Sequence, residues 1–248
     1  MKPERLQWTP ELVGRFWDGF SQTQLVQLSF SKQAGQSLLI AIDHLLPRDG
    51  EVLDFGAGDG HLVRLLCERG FCATAYEPSA GRMQNLEEAL AGIERFGGVI
   101  GQNATSKFDL VIMAEVIEHV LDDELDMTLA RLAELTKPDG TLIVTTPNNE
   151  NLELGMTYCP VSNMLFHRWQ HVRSFTETTL PALLRGYGFE ELVTHRVGFD
   201  GAVFLPVDPQ SPTAPNRDQL PDYIAKLRGN EKALIGSEAN LLYVGRRT

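Results

Sequence analysis

The chain reads as an α/β protein with a doubly wound, mainly parallel sheet of seven strands, N-terminal helices and a lid-like insertion before the last strand. Three observations lead there. Short, continuously apolar runs rich in β-formers alternate with stretches of helical periodicity. The runs lack polar alternation, which is the pattern of strands covered on both faces. The first of them ends in Gly56-Ala57-Gly58-Asp59-Gly60 and passes straight into a helix, so small residues sit where the backbone turns tightly and a ligand can approach.

Residues 12–46 are helix-like, with Trp8, Phe16, Trp17 and Phe20 early and the periodic set Leu38, Leu39, Ile42, Leu45 and Leu46 later. Pro47-Arg48-Asp49-Gly50 ends them, so residues 1–48 are expected as a helical cap on a second unit, 49–248. Strands are predicted at 52–55, 72–76, 98–100, 108–113 and 140–146, with helices starting near 61 and spanning 82–93 and 123–136. After Pro147-Asn148-Asn149 comes an irregular stretch, 149–172, longer than an ordinary connection and therefore expected to be functional. A helix at 177–186 and strands at 190–197 and 241–244 complete the pattern. Residues 201–239, with five prolines from Pro206 to Pro221 and few apolar residues, are expected as a lid or subunit contact of a homo-oligomer at the sheet's edge.

Composition narrows the function. The 248 residues hold 33 acidic and 22 basic side chains, a net charge of −11, with 43% hydrophobic residues: enough apolar chain for a full core. An excess of acid disfavours a partner held by its phosphate backbone. Cys67, Cys72 and Cys159 form neither a CxxC pair nor a zinc spacing, so reduced thiols in a cytoplasmic protein are expected. No export signal or membrane span is visible in the sequence.

The glycine loop suggests a nucleotide-like cofactor. A dinucleotide fingerprint would place its third glycine where His61 stands, and Asp59 would face the pyrophosphate, so NAD and FAD are disfavoured. The second strand ends in Glu77, about 20 residues after Gly56, where an acid can accept hydrogen bonds from both hydroxyls of a ribose. Val52-Leu53-Asp54-Phe55-Gly56-Ala57-Gly58-Asp59-Gly60 with Ala75-Tyr76-Glu77-Pro78 strongly resembles the class I S-adenosylmethionine-dependent methyltransferases. The resemblance runs from about Gly50 to the last strand and implies S-adenosylmethionine as cofactor. It implies cofactor contacts from Asp54, Gly56, Ala57, Gly58, Gly60, Glu77, Pro78, Gln102, Asn103 and Ala114, although Asp54 has an alternative use in binding local amides and Gly101-Gln102-Asn103-Ala104 an alternative reading as a turn.

A second constellation follows the strand at 108–113: Glu115-Val116-Ile117-Glu118-His119. If Glu115 opens a helical turn, Glu118 and His119 share its face, and two carboxylates with an imidazole suit Mg, Mn, Fe or Zn. The alternative is that both acids cap helix ends while His119 bonds within the wall. The Glu-x-x-Glu-His segment, Thr146-Pro147-Asn148 and the block from Phe166 to Thr176 are similar in layout to the small-RNA 3′-end 2′-O-methyltransferases, in which two Glu and two His hold a magnesium-class ion. That likeness implies Glu115, Glu118, His119 and His171 as metal ligands. The ubiquinone-biosynthesis O-methyltransferases carry a related Glu-x-x-Glu-His-Val segment, and the acid preceding the last His of the RNA enzymes is Gln170 here.

Methyl transfer from a sulfonium needs an acceptor held in line, and a hydroxyl acceptor must also lose its proton. O-methylation of a small molecule or biosynthetic intermediate is expected, with a divalent ion organising a hydroxyl or vicinal diol, or with His119 or His171 as general base. The aromatic segment from Trp8 to Phe20 is expected to close over the acceptor, and His167, Arg168 and Arg173 are further candidates near it. Two alternatives are an RNA 3′ end as acceptor, which calls for a basic groove near His171, and a cofactor-binding regulatory protein without turnover.

Overall fold

Local signals at the N-terminus break the long helical stretch in two. The computed structural model describes residues 2–78, 80–216 and 219–248. A short strand β1 (Glu4–Arg5) precedes helix α1 (Pro10–Ser21), whose N-cap Thr9 accepts a hydrogen bond from the Leu12 amide at 3.3 Å and whose first residue is proline. The polar run Gln22-Thr23-Gln24 then stops α1: Thr23 caps a single 3-10 turn, Gln24–Leu28, before α2 (Phe30–Ile42) begins. Leu38, Leu39 and Ile42 of α2 have no exposed surface, so this helix belongs to the core while α1 lies outside it.

The alternating pattern continues with β2 (Glu51–Phe55), α3 (His61–Glu68), β3 (Cys72–Tyr76), α4 (Ala80–Leu90), β4 (Phe96–Ile100), β5 (Phe108–Ala114), α5 (Asp122–Leu135) and β6 (Thr136–Pro147). Then come β7 (Met156–Cys159), β8 (Met164–His167), α6 (Thr179–Arg185), β9 (Phe189–Val197), α7 (Gly201–Phe204), α8 (Asp222–Arg228), β10 (Leu234–Ile235) and β11 (Asn240–Arg247). The main sheet runs β10-β9-β11-β6-β5-β2-β3-β4, with β11 antiparallel to both neighbours and the other pairs parallel. It holds one strand more than the pattern predicts, because β10 spans only two residues and carries no periodicity to read.

Side chains of the central strands point alternately into two clusters. Val52, Leu110 and Ile112 join α2 and α3 on one face, whereas Leu53, Val111 and Met113 join α5 and α6 on the other. That is why these strands are apolar without alternation. At the end of β2, Gly60 caps α3 with φ at 77°, and an added Cβ would lie 2.9 Å from Leu90 and 3.1 Å from Leu86 of α4. Gly60→Val is expected to cost about 2–4 kcal/mol through left-handed strain and overpacking, read as a lower urea midpoint at unchanged slope.

Residues 149–172, expected to be irregular, form the hairpin β7–β8, and β1 adds to it in parallel through Glu4 opposite Met164 and Arg5 opposite Leu165. The first residues of the chain are thereby tied to the segment carrying His167 and His171. The 201–239 insertion sits at the sheet's edge as expected, supplying β10. It does not act as a lid in this structure: Phe204, Val207, Ile224, Leu227 and Ile235 are buried with α2, Arg69 and Asp208 pair at 2.8 Å, and none of its described residues lines the cavity below. Five well-spaced apolar anchors were enough, in a stretch whose mean composition is polar. Among the described residues no helix is long and apolar enough to cross a membrane.

Candidate active site

A cavity of about 970 Å³ opens at the carboxyl ends of β2, β3 and β5. Its floor is the loop after β2, turned by hydrogen bonds from the Gly56 and Ala57 amides to the Tyr76 carbonyl at 3.1 and 3.3 Å. Gly56 and Gly58 have φ of 86° and 56°, in the left-handed region that favours glycine. A Cβ on Gly56 would strike Val116 at 2.8 Å, whereas one on Gly58 would meet nothing within 4 Å and would stand in open space. Asp54 is buried beneath the loop, and burial, helped by nearby Asp59, pushes its carboxyl up to about 7. Asp59 turns away from the ligand role: it pairs with Lys32 of α2 at 2.7 Å and accepts from the His61 amide.

Glu77, 3% exposed, stands at the end of β3 with Arg82 3.8 Å from its carboxylate. Pro78, Gln102, Asn103 and Ala114 line the same cavity as Asp54, Gly56, Ala57 and Gly58. Of the cofactor residues expected from the sequence, Gly60 is outside the lining, and its packing against α4 accounts for the glycine. The roof is aromatic and apolar. Trp17 and Phe20 of α1 meet edge to face at 5.2 Å between centroids, and Trp169 approaches Phe20 at 6.2 Å. Gln170, fully buried, binds this roof to the wall: it accepts from the Trp17 indole N–H at 2.9 Å and donates to the His119 carbonyl at 3.0 Å.

The second constellation differs from the helical turn expected of it. Glu115 takes φ 51° and donates its amide to Thr145, so the short 3-10 turn begins only at Ile117. Its carboxylate accepts from Asn240 of β11 at 3.1 Å, and burial raises it to about 7. Glu118, 1% exposed, accepts from the Thr146 hydroxyl at 3.0 Å; burial and the neighbouring Glu115 hold its carboxyl well above the ordinary range. Its Oε1 is buried without a hydrogen-bond partner. The His119 ring lies between Trp17 and His171, at 4.8 and 4.9 Å between centroids, and burial, then His171, lower its pKa to about 3.

Ligand atoms of Glu118, His119 and His171 lie within 4.8 Å of one another, so three of the four expected metal ligands converge. Glu115, directed to Asn240, is not in that group. The partnerless Glu118 oxygen and the mixed carboxylate and imidazole donors fit a divalent ion at these three residues. Glu150 was not singled out in the sequence, where it reads as one more polar residue of the turn after Pro147; it contacts both His167 and His171. Arg173 pairs with Asp122 at 2.6 Å and Arg168 is exposed; neither lines the cavity.

Comparison with known proteins places the fold in a family. A family of methyltransferase domains matches residues 31–195, more than half of the chain. The chain is 28% identical over 151 residues to a ubiquinone biosynthesis O-methyltransferase of Azorhizobium caulinodans, covering 56% of this chain and 58% of that protein. It is 27% identical over 173 residues to a malonyl-[acyl-carrier protein] O-methyltransferase of Methylococcus capsulatus, covering 66% of this chain and 60% of that one. The chain thus spans little more than half the length of these curated relatives. Among solved structures, the Burkholderia thailandensis 1,6-didemethyltoxoflavin-N1-methyltransferase, bound to 1,6-didemethyltoxoflavin and S-adenosylhomocysteine, shares the fold with a TM-score of 0.61 at 19% identity, covering 99% of this chain and 94% of that one. A putative methyltransferase of Haloferax volcanii, solved with the activator Trm112, gives 0.59 at 16% identity, covering 93% and 97%. The strand order, the glycine loop and the family match together make this chain a member of the methyltransferase-domain family, with a Rossmann-like fold.

Proposed function

We propose that the protein methylates a hydroxyl of a small, largely apolar molecule or biosynthetic intermediate. One observation carries the reading: a single cavity joins the glycine loop and Glu77 to His119 and His171 beneath the Trp17, Phe20 and Trp169 roof. Asp54, Gly56–Gly58, Glu77, Pro78, Gln102, Asn103 and Ala114 form the cofactor end. There Glu77 accepts from the ribose hydroxyls, and bare Gly58 leaves room for the methionine part. The aromatic roof desolvates the acceptor and holds it in line with the methyl group. His171 takes the hydroxyl proton; His119, kept neutral by burial, offers a lone pair beside it. Alternatively, a divalent ion held by Glu118, His119 and His171 would take the place of that base and lower the hydroxyl's pKa itself.

The O-methyltransferase names of the distant relatives support oxygen as the acceptor atom. An RNA 3′ end is the weaker reading. Among the described residues that line the cavity, Asp59, Glu77, Glu124 and Glu134 outnumber Arg82 and Arg131, which disfavours a phosphate chain. Titration calorimetry with S-adenosylhomocysteine, with Mg2+ or Mn2+ and again after chelation, tests the proposal. Micromolar binding is expected in each case, and metal uptake that disappears in His171→Ala supports the ion. A folded protein that does not bind the cofactor product would overturn the reading.

A further inference from the structure

Three histidine and glutamate side chains behind the cavity form a chain whose hydrogen-bond directions can be read from the backbone. His167, 2% exposed, directs Nδ1 at the amides of Trp169 and His171, 3.4 and 3.1 Å away. A nitrogen that accepts from amide N–H groups carries no proton, so the neutral ring holds its proton on Nε2. That Nε2 lies 3.4 Å from Glu150 Oε1, a close electrostatic contact without hydrogen-bond geometry. Glu150 Oε2 lies 2.5 Å from His171 Nδ1. A carboxylate accepts and an imidazole N–H donates, so in this bond His171 is the donor, from Nδ1.

We propose that Glu150, flanked by His167, is a positioning residue that fixes the tautomer of His171 and reserves its Nε2 lone pair for the cavity. The packing leaves little freedom. The His167 and His171 rings stack at 4.5 Å with 21° between planes, so neither turns over without displacing the other. Gly155 closes the far side: a Cβ there would lie 1.8 Å from His167 Nε2. His171 lines the cofactor cavity and Glu150 does not, so the nitrogen turned from Glu150 is the one left for the acceptor.

The fixed tautomer of His167 also bears on metal binding. Glu150, His167 and His171 bring ligand atoms within 4.8 Å of one another and have the composition of a metal site. His167, however, has Nδ1 engaged with the backbone and a proton on Nε2, so neither nitrogen offers a lone pair to an ion. The group is a relay in which the Glu150–His171 step is the hydrogen bond and the His167 ring flanks the carboxylate, an arrangement that orients an imidazole from behind.

The proposal rests on the reading that His171 works at the acceptor hydroxyl, and its test separates the two. Long-range proton–nitrogen correlation spectra of the 15N-histidine-labelled protein, with His171 assigned by its loss in His171→Gln, report each ring's tautomer directly. His171 of the wild type is expected as the Nδ1–H form. In Glu150→Gln the Nε2–H form is expected to appear and kcat to fall about 10²-fold, with the acceptor KM and S-adenosylhomocysteine affinity unchanged. Glu150→Asp is expected to restore the Nδ1–H form and part of kcat. A wild-type His171 in the Nε2–H form, or a Glu150→Gln protein with wild-type tautomer and turnover, would overturn the positioning role. A shifted tautomer together with full turnover by His171→Gln would uphold the relay and overturn the role of His171 in methyl transfer.

Discussion

Glu77→Ala is expected to weaken S-adenosylhomocysteine binding by about 100-fold or more, because two charge-assisted hydrogen bonds to a ribose contribute roughly 1.5–3 kcal/mol each. Glu77 is buried at the carboxyl end of β3, and its amide donates to the Ile100 carbonyl at 3.1 Å, so the backbone that presents it is held by β4 as well as β3. Gly58→Val makes the complementary test from the other side of the cofactor. Its Cβ meets no protein atom within 4 Å, so beyond the strain of a left-handed valine the fold tolerates it, whereas the side chain fills space reserved for ligand. Calorimetry on both variants, with urea melts as a control, is expected to show lost binding in proteins that remain folded. Wild-type affinity in Glu77→Ala would remove the ribose assignment.

His171→Ala is expected to lower kcat by about 10²-fold to 10⁴-fold while S-adenosylhomocysteine affinity stays within about threefold. The contrast follows from position: His171 lies with His119 and Glu118, and Glu77 and the glycine loop form the other end of the cavity. Turnover is read as S-adenosylhomocysteine released with a panel of hydroxylated aromatic acceptors, which suit the Trp17, Phe20 and Trp169 roof. A fall in cofactor affinity equal to the fall in kcat would mean that His171 supports the fold of the site and does not act on the acceptor. His119→Ala has a different expected signature. Removing its ring exposes the Trp17 edge and leaves a gap beside His171, so acceptor KM rises together with the loss of kcat.

The glycine-loop end of the cavity was legible because it is local. A strand, a glycine turn, a helix and an acid at the end of the next strand follow one another within the sequence, and each residue's role is set by its place in one βαβ unit. Even there, one glycine was ambiguous: Gly60 has the same spacing as a ligand-facing residue, and only its distance to Leu86 and Leu90 shows that it faces a helix. The acceptor half was legible in its residue types and not in its partners. Glu118, His119 and His171 meet as expected, but the positive φ of Glu115 turns that side chain to β11, a strand 125 positions further along the chain.

By itself, the sequence determined the doubly wound sheet, the strand that ends in the glycine loop, the place of Glu77 and the acidic excess of the chain. Those features depend on periodicity, on residues next to one another, or on simple sums of charge. Tertiary structure alone decided which face each titratable group serves. It placed Glu150 against two histidines, used Gln170 to hold Trp17 over the site, joined β1 to β8, and folded the proline-rich insertion onto α2 instead of over the cavity. Each of these is a contact between segments far apart in the chain, formed because a buried polar group must find a partner and an apolar face must find a cover, whatever the intervening sequence.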